Sequence, residues 1–125
     1  MAKTALVATD LSIGQAVAEA LDKTDLPVSV AAWLFLDQYE DWRFVLASRD
    51  LDGGAKSYGR VHDALASQGI SLEQTPTLLI LEMSHPIVRE LRRVFGKVMS
   101  TEGKRIGNFP VGDRFVEDGI LYRVR

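Results

Sequence analysis

Cysteine does not occur anywhere in this chain of 125 residues. That excludes disulfides, a cysteine nucleophile and cysteine-ligated zinc, and it leaves the compartment open. No apolar run approaches the roughly 20 residues needed to span a bilayer, so no membrane partner is expected. The first ten residues, MAKTALVATD, hold one lysine and no long apolar core, and a signal peptide is not expected there. A cytoplasmic location is the default expectation. Neither sign of charge dominates: 15 Lys and Arg stand against 17 Asp and Glu, for a net charge of −2. No global attraction to nucleic acid or to an acidic membrane follows from that balance. Internal repeats, linkers and low-complexity tracts are missing as well.

What is present describes a small globular protein. The hydrophobic content is 46% and the charged content 26%, both ordinary for a soluble domain. The length suits one domain, 1–125, with one core. The organising stretch is residues 28–49, VSVAAWLFLDQYEDWRFVLASR, two β-rich runs joined by a polar link. In the first run Val28, Val30, Ala32, Leu34 and Leu36 share one face and Ala31, Trp33 and Phe35 the other. Both faces are apolar, so the strand is expected to be covered on both sides, or covered on one and buried in an oligomer on the other. In the second run Trp42, Phe44, Leu46 and Ser48 alternate with Arg43, Val45, Ala47 and Arg49. The link Gln38-Tyr39-Glu40-Asp41 has the length of a hairpin loop.

Helical spacing of Ile13, Val17, Ala20, Leu21 and Thr24 predicts a helix over 11–24, capped by Asp10 or Ser12. Leu26-Pro27 ends it. Tyr58, Val61, His62 and Leu65 predict a second helix over 55–68, closed by a left-handed Gly69. Residues 77–83, TLLILEM, read as a central strand. Ser84 caps a third helix that starts at His85-Pro86 and turns Ile87, Leu91, Val94, Phe95 and Val98 to the core. It ends at Gly96 or frays to Met99. Residues 105–109 and 114–125 form a second hairpin around Pro110 to Asp113, with a bulge or tighter turn at Asp118-Gly119. The expected fold is α+β. Its sheet is five-stranded and mixed but mainly antiparallel, with antiparallel pairs at both ends. Three helices complete it, in the order α-β-β-α-β-α-β-β.

The run AAWLF followed by WRFVLAS, the helix start at Ser84-His85-Pro86 and the final FVEDGILYRV together resemble a set of small bacterial proteins of unknown function. The resemblance spans about residues 10–124. It implies the same α+β fold and carries over no catalytic residue.

Five groups of residues are candidates for function. The loop Asp52-Gly53-Gly54-Ala55-Lys56-Ser57 opens the second helix, and backbone amides there, with Lys56, suit a phosphate or sulfate. It lacks the spacing of a Walker A loop, and ordinary helix capping accounts for it equally. Arg89, Arg92, Arg93, Lys97, Lys104 and Arg105, against Glu90 and Glu102, make residues 89–105 net +4. Such a face can track a nucleic-acid backbone, or it is a solvated helix whose late cations suit its dipole. Acids gather at Asp37, Glu40 and Asp41, at Asp50 and Asp52, and at Glu117 and Asp118, as a Mg²⁺-dependent hydrolase or nuclease would need. The acid-x-Lys tripeptide of restriction-type nucleases is absent, however, and loops are acidic simply because they meet water. His62 and His85 are unpaired in sequence, and no G-x-S-x-G elbow accompanies them. Finally, Trp33 and Phe35, with Tyr39, form an exposed patch if no helix covers the second face of the hairpin. On this reading the chain is foremost a self-associating interaction module without catalysis, a homodimer or the binder of a protein partner. The alternative is a binder of nucleic acid or phosphate ligands, and third a metal-dependent hydrolase. No cofactor and no metal ligand set is expected.

Overall fold

The computed structural model describes residues 6–96, 103–111 and 114–125. Its elements are α1 (Ala8–Asp22), β1 (Val30–Leu36), β2 (Asp41–Ala47), α2 (Ala55–Ser67), a 3-10 turn (Leu72–Gln74), β3 (Leu78–Leu81), α3 (Pro86–Phe95), β4 (Lys104–Val111) and β5 (Arg114–Val124). The five strands form one mixed sheet in the order β3-β2-β1-β5-β4. Three pairings are antiparallel, and β2 with β3 is parallel. No described helix is long and apolar enough to cross a membrane.

β1 is the middle strand, which explains its two apolar faces. Ala31, Trp33 and Phe35 point to the side carrying α1 and α2, where they pack with Trp42, Phe44, Leu46, Val61, Leu65 and Tyr122. Val30, Ala32, Leu34 and Leu36 point to the side carrying α3, with Val45, Val88, Leu91 and Leu121. The aromatic rings interlock edge to face across the strands: Trp33 on Phe44 at 5.3 Å and Phe35 on Trp42 at 5.7 Å between centroids. The first face is therefore covered by helices. Trp33 and Phe35 are each 6% exposed, and the patch they were expected to form is not on the surface. Burial of both faces is served within the monomer and needs no second copy.

Two further expectations change. TLLILEM is an edge strand, not a central one, and the sheet has a parallel pair at that end. The reason lies in the connections. The hairpin partner β2 and the last strand β5 take both sides of β1. The crossover through α2 then brings β3 back alongside β2 in the same direction, as strand–helix–strand units do. Leu78 and Leu79 are only half-buried there, while Ile80 and Leu81 are buried. The bulge expected at Asp118-Gly119 falls beside it: β1 pairs Phe35 with Asp118 and Leu36 with Val116, leaving Glu117 as the extra residue.

The helix ends follow local chemistry, though not always at the residues expected. α1 starts at Ala8. Asp10 caps it from the first turn, its carboxylate accepting from the Val7 amide at 3.0 Å, and Ser12 has no capping role. α2 closes as predicted. Gly69 has φ +84°, the Ile70 amide donates to the Leu65 carbonyl and the Gly69 amide to that of Ala66. α3 is capped by His85, whose Nδ1 accepts from the Ile87 amide at 3.1 Å. Ser84 instead donates to the Glu82 carboxylate. Its inner face is Val88 and Leu91, and Val94 is exposed. Val98 and Met99, like Lys97 and Glu102, lie outside the described residues.

Candidate functional site

The parallel pair places one end of the sheet at the centre of interest. β2 and β3 leave the sheet side by side, with Ala47 in register with Leu81. α2 then passes to one face and α3 to the other. In open α/β sheets, ligands bind outside the carboxyl ends of strands where successive connections diverge in this way. Both helices begin at this end, so their N-terminal amides and dipoles are presented there.

The loop after β2 is built tightly. Ser48 is buried, and its hydroxyl accepts from the Asp50 amide at 3.1 Å. Leu51 turns into the core and anchors the loop. The Ser57 hydroxyl accepts from the Asp52 amide at 2.9 Å and donates to Asp52 Oδ1 at 3.2 Å. The same oxygen accepts from the Gly54 amide at 2.7 Å. Ser57 is thus a buried brace, and Asp52 supplies negative charge at the start of α2. Neither Gly53 nor Gly54 is in the left-handed region. A Cβ on Gly53 would stand 3.7 Å from the Ile80 carbonyl, which shows how close this loop runs to the end of β3.

The loop after β3 turns at once into α3. The His85 amide donates to the Glu82 carbonyl at 3.0 Å, and Pro86 opens the helix. Because Nδ1 accepts a hydrogen bond, the neutral imidazole carries its proton on Nε2. The arginines expected to act together are separated by their partners. Arg93 pairs with Glu90, and that ion pair raises its pKa further. Arg92 Nε donates to the Arg125 carbonyl at 3.0 Å. Arg89, nearest the start of α3, is exposed and makes no ion pair among the described residues.

Charge at this end sorts by engagement. The carboxylates of the two loops are engaged: Asp50 by Arg60 at 3.8 Å, Asp52 by its own loop and Glu82 by the Ser84 hydroxyl. Arg49, Lys56 and Arg89 are exposed, and none of the three has an ion-pair partner among the described residues. At the opposite end, around the β1–β2 turn, the exposed carboxylates Asp37, Glu40, Glu73 and Glu117 have no ion-pair partner among the described residues. Arg43 there pairs with Asp41 and lies over the Tyr39 ring at 4.5 Å, and Arg105 pairs with Asp118 at 2.6 Å. Among the described residues, charges without an ion-pair partner therefore include cations where β2 and β3 end and carboxylates at the hairpin turn.

The sequence-level sites are thus partly assembled and partly dispersed. Gly53, Gly54, Lys56 and Ser57 lie at one end of the sheet on the α2 side, and Arg89 lies at the same end on the α3 side. Arg92 and Arg93 sit further along α3, and Trp33 and Phe35 are in the core. Tyr39 remains exposed on the turn. The acids that cluster in sequence are divided between opposite ends, and no three His, Asp or Glu side chains among the described residues form a metal-holding group. His62 lies half-buried on α2, two turns from the loop, and its Nδ1 has no partner among the described residues. Sequence reading missed Arg49 and the neighbouring Glu82-Ser84. The signal was available: an apolar run, a 13-residue helix and another apolar run form a strand–helix–strand unit, which sets the two exits together.

No family model matches the chain, and no curated protein or solved structure matches it.

Proposed function

We propose that this chain binds a phosphate-bearing ligand at the end of the sheet where β2 and β3 stop. One observation carries the reading: the carboxylates of the two loops, Asp50, Asp52 and Glu82, are engaged, while Arg49, Lys56 and Arg89 have no ion-pair partner among the described residues. The first-turn amides of α2 add to it, because Ala55 and Lys56 have no acceptor one turn earlier in their helix. The reading assigns binding and no catalytic step. A cytoplasmic location belongs to the same proposal.

The test is thermal unfolding against inorganic phosphate, pyrophosphate, a nucleoside triphosphate and short DNA and RNA, at low salt. A ligand at about 100 times its dissociation constant that binds only the folded chain adds roughly 2.7 kcal/mol, a shift of several degrees. A shift with phosphates of every size supports a small-anion site. A shift with DNA or RNA alone, falling steeply with salt, assigns a nucleic-acid backbone instead. No shift with any of them removes the reading.

Self-association is the second reading, with a homodimer or a protein partner as its form. It is favoured by Tyr39 and Leu72, 39% and 70% exposed, which the β1–β2 turn and the turn before β3 hold at the same end of the sheet. Sedimentation at rising protein concentration tests it. Tyr39→Glu with Leu72→Glu abolishes association if this surface is used, and a wild-type chain that stays monomeric ends the idea.

A further inference from the structure

We draw no further inference here: the strongest candidate, the exposed Tyr39 and Leu72 beside the carboxylates of Asp37, Glu40 and Glu73 at the turn end of the sheet, already carries the second reading, and nothing in the structure shows what covers it.

Discussion

A Cβ on Gly14 would stand 2.6 Å from the Tyr122 hydroxyl oxygen. It would also meet Trp33 Nε1 at 2.7 Å. This glycine lets α1 settle onto the sheet until both polar ring atoms reach the backbone of its first turn. Trp33 Nε1 donates to the Asp10 carbonyl at 3.1 Å and the Tyr122 hydroxyl to the Leu11 carbonyl at 2.9 Å. Two large aromatic side chains are thereby buried without an unsatisfied donor.

Gly14→Ala therefore destabilises the protein, although alanine is the better helix former by about 1 kcal/mol. The new methyl lifts α1 and weakens both hydrogen bonds, at a cost of roughly 2–4 kcal/mol. Gly59, inside α2, has nothing within 4 Å of its Cβ position. There the same substitution stabilises by about 0.5–1 kcal/mol. Urea titration of the two variants should show opposite signs, and equal signs would refute this account of how α1 docks.

Alkaline unfolding should report Tyr122. Burial, and then the charge of Asp10, push its pKa from 10.0 up to about 12. Below pH 10 the phenol is protonated in folded and unfolded chains alike, and its contribution is fully present. Between about 10 and 12 the unfolded phenol ionises while the folded one does not, so stability falls, by about 2–3 kcal/mol in all. Tyr122→Phe should start lower by about 1 kcal/mol, for its lost hydrogen bond, and show a shallower fall over that window. Parallel slopes in the two proteins would contradict the assignment.

Arg123 on β5 holds Asp22 at the end of α1 through a two-pronged pair. Arg123 is 8% exposed, and its Nε has no acceptor among the described residues. Asp22→Ala leaves that guanidinium buried and unpaired, and stability should drop by about 1–3 kcal/mol. Arg123→Met with Asp22→Leu should recover much of the loss, because an apolar pair needs no compensation for lost hydration. Calorimetric midpoints of the single and double variants check this, and a double variant weaker than Asp22→Ala would reverse the argument.

Arg49→Glu and Arg89→Glu each remove one unpaired cation from the end of the sheet without touching the core. If both contact the phosphate, each should weaken binding roughly tenfold or more, the scale of one charge-assisted hydrogen bond. Arg93→Glu, on the same helix but already paired with Glu90, should change affinity much less. Calorimetric titration with pyrophosphate compares the three. Equal losses in all of them would point to a diffuse field rather than a site.

How much was legible before folding depends on the range over which each feature is decided. The Tyr58, Val61 and Leu65 stripe, the left-handed Gly69 and the two apolar faces of β1 are written within one or two turns or one strand, and the fold class and element order followed from them. The caps are local too, yet His85 took the place expected of Ser84, because an imidazole one residue nearer the helix accepts the same amide.

Strand order was not local. TLLILEM is apolar enough for a central strand, and its place at the edge was decided by which strands claimed the two sides of β1. The same holds for Trp33 and Phe35: alternation set which face they occupy, and only the docking of α1 set that this face is covered. Engagement of charge is the least local of all, since Arg123 finds its acceptor 101 residues away. Hydrophobic periodicity, carried by neighbouring residues, determined what the pieces of this chain are. The tertiary structure alone decided which pieces are adjacent, and hence that Arg49, Lys56 and Arg89, without ion-pair partners among the described residues, lie where β2 and β3 end.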